Sequence, residues 1–170
     1  ATLVAAPSAF TCAEVGTNNV TLTVTDNNGN VNTCVAVVTV EDITPPAAIC
    51  QDITVQLVAT GNVTITGADI DNGSNDACGI ATLTAAPSAF TCAEVGANNV
   101  TLTVTDNNGN VNTCVAVVTV EDVTPPVAIC QEMTYHVQAW GNVTIKGGES
   151  DNGSIEGWGW GSVGGGPRGG

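Results

Sequence analysis

Acidic side chains crowd one turn of the chain. The stretch DIDNGSND places Asp69, Asp71, Asn75 and Asp76 within a short loop. Clustered carboxylate and amide oxygens are the ligands that a hard cation such as calcium prefers. The distal bidentate glutamate of a common calcium loop is missing, however, and Asp, Asn and Gly also form turns without any ion. The pattern therefore predicts either a calcium site or a plain turn.

Two further acidic pairs stand before prolines. Glu41 and Asp42 precede one Pro-Pro dipeptide, and Glu121 and Asp122 precede another. Because Pro-Pro cannot continue a β-ladder and stiffens a short connector, we expect these segments to join structural units. Acidic residues at such a junction are a second place where calcium would bind and stiffen the chain.

Seven cysteines offer either disulfide or metal chemistry. Their regular spacing in a chain of 170 residues suggests an oxidising, extracellular compartment. A four-cysteine metal site usually contains a Cys-x-x-Cys pair, and this sequence has none. Disulfides are therefore the favoured interpretation.

Signatures of catalysis are missing from the sequence. His136 is the only histidine, and no cysteine or aspartate stands at a recognisable catalytic spacing from it. The nucleophile-elbow, phosphate-loop and zinc-protease motifs do not occur. We expect a protein that is not an enzyme and has no catalytic residue.

The charge of the chain excludes several partners. Sixteen acidic residues against two basic ones give a net charge of −14. Nucleic acids and anionic membranes attract basic patches, so we expect neither as a partner. No apolar run is long enough to cross a bilayer, which predicts no membrane insertion. The first residues already belong to a repeat, so we expect a segment of a longer exported or cell-surface protein.

Asn-x-Ser/Thr sequons occur six times. In a eukaryotic secretory chain they are acceptors for glycans, although a chain rich in Asn and Thr also contains them by chance. The glycosylation candidates are Asn19, Asn62, Asn72, Asn99, Asn142 and Asn152.

An 80-residue repeat organises the chain. Residues 1–50 match residues 81–130 at 46 of 50 positions. Residues 51–80 match residues 131–160 at only 14 of 30. Cutting at the Pro-Pro dipeptides gives an N-terminal half-repeat (1–44), a central repeat (45–124), a degenerate C-terminal half-repeat (125–157) and a Gly-rich tail (158–170). The N-terminal half-repeat corresponds to the later half of a full repeat, and the C-terminal half-repeat corresponds to the earlier half. We call residues 80 positions apart repeat mates.

Short strands separated by turn residues run through the central repeat. The stretch NNVTLTVTD alternates strictly, with Val100, Leu102 and Val104 on one side and threonines on the other. The stretch VNTCVAVVTVED is apolar on both faces, which is typical of a central strand. Six or seven strands in roughly 80 residues predict an all-β fold of tandem, antiparallel, immunoglobulin-like β-sandwiches.

Disulfides are needed because the core of this repeat holds one Phe and no Trp. Its four cysteines allow three pairings, of which we favour Cys50–Cys114 and Cys78–Cys92. Cys50 opens the first strand and Cys114 lies in the last, and these strands run side by side in immunoglobulin-type sandwiches. Cys78 and Cys92 flank a segment that we expect to fold back as a hairpin.

The central repeat resembles the hyalin repeat (HYR) family. It has the opening proline-aliphatic-cysteine of PPAAICQDITV, the turn NDACG and the ending VGANNVTLTVTDNNGNVNTCVAVVTV. Gln51 replaces the usual proline after the first cysteine, and Cys92 is an addition to the pattern, similar to a variant in tandem arrays of bacterial surface proteins. The resemblance implies an extracellular, immunoglobulin-like module that is repeated in tandem, associated with adhesion and free of catalytic residues.

The two half-repeats predict an assembly. Each alone exposes a sheet edge and half a core. We expect the C-terminal half-repeat of one copy to complete the N-terminal half-repeat of the next, which builds a head-to-tail fibre held by a bond from Cys130 to Cys34 of the neighbour. Cys12 is then expected to lack a partner, because Trp158 stands where the period predicts a cysteine.

Two alternatives remain open at this point. The chain is also compatible with a window from a long tandem array, which would serve as a cell-surface adhesin stalk. It is also compatible with a carbohydrate-binding module that stacks surface glycans on the Trp pair of the tail.

Overall fold

A computed structural model describes residues 1–137, 141 and 143–154. Among these, the α-helical residues form the single turn α1 (Gly147–Ser150), and no helix has the length and hydropathy to span a membrane. Short 3₁₀ turns occur at Cys12–Glu14, Gly67–Asp69 and Cys92–Glu94. The strands are β1 (Thr2–Ala6), β2 (Gly16–Thr25), β3 (Val31–Val40), β4 (Ile53–Gln56), β5 (Asn62–Thr64), β6 (Ile80–Ala86), β7 (Ala89–Thr91), β8 (Gly96–Asp106) and β9 (Val111–Glu121). The predicted all-β fold is confirmed.

The central repeat is a two-layered, immunoglobulin-like sandwich. One sheet has the order β4-β9-β8-β6, and the other pairs β5 with β7. The alternation along β8 buries Val100, Leu102 and Val104 completely, as the sequence predicts. These side chains pack with residues of the opposite layer, among them Phe90 and Ile65, into one hydrophobic core.

Strand β9 is central in its sheet, between β4 and β8. It pairs antiparallel with β8 but parallel with β4, where Ile53 lies opposite Val118. The parallel pair departs from the expected all-antiparallel arrangement. Both strands run away from the Cys50–Cys114 bridge in the same direction.

The N-terminal half-repeat folds as one bare sheet of order β1-β2-β3. Its register repeats that of the central sandwich, since Leu22 lies opposite Cys34 as Leu102 lies opposite Cys114. The inner face differs, because Ala36 is exposed whereas its repeat mate Ala116 is fully buried. Within the described residues, no second sheet covers this face.

The C-terminal half-repeat keeps the opening of the repeat fold. Cys130 forms a β-bridge with Asp151, as Cys50 does with Asp71. The Ile129 amide donates to Ser154 Oγ at 2.8 Å, and the repeat-mate bond from Ile49 to Ser74 measures 2.9 Å. The same local structure therefore forms although the sequence has diverged.

Candidate functional site: the junction between repeats

The linker 41–46 packs against the repeat that follows it. Asn110 Nδ2 donates to the Asp42 carbonyl at 3.1 Å, and Asn112 Nδ2 donates to the Pro46 carbonyl at 2.9 Å. Pro46 is fully buried. The turn between β8 and β9 and the start of β9 therefore bind the backbone of the linker. Most of the candidate functional residues lie close to this junction.

A disulfide crosses this junction. Cys12 of the N-terminal half-repeat bonds Cys78 of the central repeat, with their Cα atoms 5.2 Å apart. The Cys78 amide donates to Asp76 Oδ1 at 2.7 Å, and Asn107 Nδ2 donates to the Cys78 carbonyl at 2.8 Å. The β8–β9 turn therefore fixes the backbone of Cys78 at the end of the sandwich that faces the preceding unit.

The expected Cys78–Cys92 bridge is wrong. Strand β6 pairs with β8 in the larger sheet whereas β7 crosses to the smaller one, so the segment between the two cysteines is not a hairpin. Cys78 contacts Asn107 just beyond the end of β8, and Cys92 lies just before its start. Eleven extended residues span about 35 Å, far more than a disulfide bridges.

The remaining cysteines divide into one pair and three free thiols. Cys50 is bonded to Cys114 across Cα atoms 5.9 Å apart, which is the pairing that we favoured. Cys12 has the partner that we expected it to lack. Cys34, Cys92 and Cys130 are exposed and unbonded, so the bond between Cys130 and Cys34 of a neighbour stays a prediction.

Most of the acidic turn serves local capping. Asp69 Oδ2 accepts hydrogen bonds from the amide and the hydroxyl of Thr66 at 2.7 and 2.8 Å. These bonds, the backbone one first, lower the pKa of Asp69 below its usual value. Asp71 accepts from the amides of Gly73 and Ser74, and the backbone of Asn75 pairs with Ala47. The structure thus engages these three residues in turns and does not gather them around one point.

Asp76 instead meets an acidic residue of the junction. The carboxylates of Asp76 and Asp42 and the sulfur of Cys78 lie within 4.8 Å of one another. Asp42 Oδ1 accepts from the Thr44 amide at 3.0 Å, whereas Asp42 Oδ2 is buried without a hydrogen-bond partner among the described residues. The sulfur is consumed by the disulfide, so two carboxylates form the cluster. Sequence reasoning named both aspartates but assigned them to separate sites, because the repeat boundary lies between them.

The other candidate residues lie away from this junction cluster. His136 is exposed and outside any strand. Asn142, Trp158 and the Gly-rich tail lie outside the described residues. The remaining sequon asparagines are all exposed, namely Asn19, Asn62, Asn72, Asn99 and Asn152.

Comparison with known proteins identifies the central part of the chain. The HYR domain matches residues 41–120, which run from the junction linker through nearly all of β9. No curated protein matches the chain. HYR domains are extracellular, and the two disulfides fit such a location. Residues 41–120 are therefore an HYR domain, the hyalin repeat that the central part of the sequence resembles.

Proposed function

We propose that the chain is a non-catalytic structural subunit of an extracellular fibre or surface stalk, built from repeat-sized beads joined end to end. One observation carries this proposal: the same sequence is folded twice, once with its core face covered and once without. Leu102 and Val118 are fully buried in the central repeat, whereas their repeat mates Leu22 and Val38 are only half-buried.

The central repeat indicates what covers such a face. Strands β4 and β5 and the turn Gly67–Asp69 precede β6 in the chain and complete the sandwich around β8 and β9. The C-terminal half-repeat carries the degenerate copy of that cover. When it docks on the N-terminal half-repeat of another copy, the contact joins two different surfaces and does not close, so it propagates as a fibre.

The surroundings of two glycines support this docking. A Cβ atom on Gly67 would lie only 2.5 Å from the backbone of Leu83, so β6 packs directly on this glycine. Its repeat mate Gly147 has no such neighbour within 4 Å. The repeat mate of Leu83 is Leu3, which is 69% exposed on β1. The open space at Gly147 therefore matches β1 of a second copy.

The experiment compares the full chain with Gly147→Val. A side chain at this position collides with an incoming β1 but meets nothing in the isolated chain, so we expect at least a tenfold rise in the concentration needed for assembly. Sedimentation velocity measures that concentration, and negative-stain microscopy checks that the wild-type particles are linear. Thermal unfolding of the variant should be unchanged.

Thr134→Val is the matched control. It adds the same kind of branched apolar side chain to the C-terminal half-repeat, at a position whose repeat mate Thr54 is exposed in the complete sandwich. This control should assemble like the wild type. A wild-type chain that stays monomeric at every concentration, or a Gly147→Val chain that assembles normally, contradicts the fibre.

The carbohydrate-binding alternative depends on Trp158 and the tail, which lie outside the described residues, and it stays a prediction.

A further inference from the structure

The bridge between Cys12 and Cys78 joins two repeats rather than two parts of one. Cys12 belongs to the N-terminal half-repeat, and Cys78 lies at the end of the central sandwich that faces it. The repeat mate of Cys12 is Cys92, which lies at the opposite end of β8. The central repeat therefore has one cysteine at each end of the sandwich, which we call its two poles, in addition to its internal Cys50–Cys114 bond.

The backbone presents Cys12 and Cys92 in the same way. Each is the first residue of a 3₁₀ turn, after a threonine with φ and ψ of −126° and −174° at Thr11 and −127° and −174° at Thr91. The Thr11 amide donates to Glu14 Oε2 at 2.6 Å, and the Thr91 amide donates to Glu94 Oε2 at 2.7 Å. One of these two equivalent sulfurs is bonded, and the other is an exposed thiol.

The surface beside Cys92 is more exposed than the equivalent surface beside Cys12. Val15, close to Cys12, is half-buried and lines a depression together with Asp42 of the linker and Asn108 of the central repeat. Its repeat mate Val95, close to Cys92, is 51% exposed. The face that is covered at the observed junction is thus open at the far pole.

We infer that Cys92 is an inter-repeat cross-linking site, placed to bond the cysteine of the Asp-x-Cys-Gly-type turn wherever the following repeat carries one. In an array whose repeats all carry a cysteine at both poles, a disulfide then joins each repeat to the next. A second disulfide, equivalent to Cys50–Cys114, lies inside each repeat. In this chain Trp158 occupies the position of that cysteine, and the Cys92 thiol stays free.

The bond forms by thiol–disulfide exchange with a small-molecule disulfide. Two protein thiols and one oxidised glutathione give one protein disulfide and two reduced glutathiones, so both electrons and both protons pass to the glutathione. This inference concerns the junction and does not depend on completion of the half-repeats by another copy.

The test restores the missing cysteine with Trp158→Cys in the full chain. Position 158 lies four residues after Ser154, as Cys78 lies four residues after Ser74. Each of these serines accepts a hydrogen bond through Oγ from an isoleucine amide, that of Ile129 or of Ile49. After equilibration in a glutathione redox buffer, the free thiols are alkylated and the digest is analysed by mass spectrometry without reduction. We expect a peptide that links Cys92 to the cysteine introduced at position 158 and at least a tenfold loss of Cys92 alkylation, with the state of Cys34 and Cys130 the same as in the wild-type chain treated in parallel.

Trp160→Cys is the matched control, because it makes the same change two residues out of register. Cys92 should stay alkylated in that variant. Full alkylation of Cys92 in Trp158→Cys, or equal protection in both variants, overturns the inference. The wild-type digest gives an independent reading: a linked Cys12–Cys78 peptide is expected, and a Cys78–Cys92 peptide overturns the inference even if both variants misfold.

Discussion

One aspartate turn occurs twice in the chain, in two environments. Asp106 is 1% exposed, and its carboxylate accepts hydrogen bonds of 2.8 Å from the amides of Asn108 and Asn110 and from Asn110 Nδ2. Burial acts to raise the pKa of Asp106, but the bonds from Asn110 and then Asn108 outweigh it and hold the pKa below its usual value. Asp26 makes the same bonds in an exposed turn.

Acid is expected to weaken the central repeat partly through this residue. A carboxylate whose pKa is lowered by folding stabilises the folded state above its unfolded pKa of about 3.9, and this contribution is lost as the pH falls through the folded value. Asp106→Asn should therefore unfold at lower urea than the wild type at pH 7, with a difference that shrinks below about pH 4.

Asp26→Asn is the control for this residue, since it removes the same bonds from a turn outside the sandwich. It should leave the urea midpoint of the central repeat unchanged. An Asp106→Asn difference that is the same at pH 7 and pH 3 would show that the ionised carboxylate is not what stabilises the turn.

The buried oxygen of Asp42 favours a calcium ion at the junction. A carboxylate oxygen without a hydrogen-bond donor is costly unless a cation compensates it, and Asp76 supplies a second carboxylate nearby. We expect 1 mM calcium, on the order of the affinity of extracellular modules, to raise the melting temperature relative to EDTA. Asp42→Asn should abolish this shift, whereas Asp69→Asn, which alters only a turn cap, should keep it. An unchanged wild-type melting temperature contradicts the site.

Sequence reasoning succeeds for residues whose role is local. The alternation of Val100, Leu102 and Val104 depends on neighbours in sequence, and the sequence predicts it correctly. The bond between Cys12 and Cys78 and the approach of Asp42 to Asp76 depend on how one repeat packs on the next, which no local pattern contains. One feature of the sequence does point to the Cys12–Cys78 bond. The 80-residue period shows that two paired cysteines need not lie within one repeat.

At the scale of elements, β2 and β8 differ only at Thr17 and Ala97 over their shared length, and yet they have different surroundings. Leu102 on β8 is fully buried against Phe90 and Ile65, whereas Leu22 on β2 is half-buried on an uncovered sheet. The covering layer, and not the strand sequence, therefore sets what each side chain contributes to stability.

Truncation of these two leucines measures that difference. Leu102→Ala should lower the free energy of unfolding by about 3 kcal/mol, because the enclosed sandwich cannot collapse around the lost atoms. Leu22→Ala should cost about 1 kcal/mol or less in dilute monomer. Urea unfolding followed by circular dichroism gives both values. Equal losses at low concentration would contradict the uncovered state of the N-terminal sheet.

Some elements were harder to derive than others. The strictly alternating β8 and the doubly apolar β9 were placed correctly. The sequence predicts a hairpin from β6 and β7, because Ala86 to Ala89 carries turn residues that serve equally well for a crossing between sheets. The parallel pairing of β4 with β9 joins strands that are far apart in the sequence, as Ile53 and Val118 are, so no local pattern contains it.

At the scale of the whole molecule, the chain holds one HYR domain, at residues 41–120, flanked by two partial copies of the same repeat. A small core with one phenylalanine is stabilised by a bridge that closes a separation of 64 residues and contributes about 4 kcal/mol on loop-entropy grounds. A second bridge ties the bead to the unit before it. Both bridges fit the extracellular location of HYR domains.

The most direct measurement of the proposed assembly is isotopic. Equal amounts of ¹⁵N-labelled and unlabelled chain are unfolded, refolded together in a glutathione redox buffer, alkylated and digested without reduction. If one copy completes the next, the peptide that links Cys130 to Cys34 is recovered with one labelled and one unlabelled half in about half of the molecules, and Cys92→Ser does not alter its yield. Recovery of Cys34 and Cys130 only as alkylated monomeric thiols, at concentrations where the chains are in contact, would contradict the account.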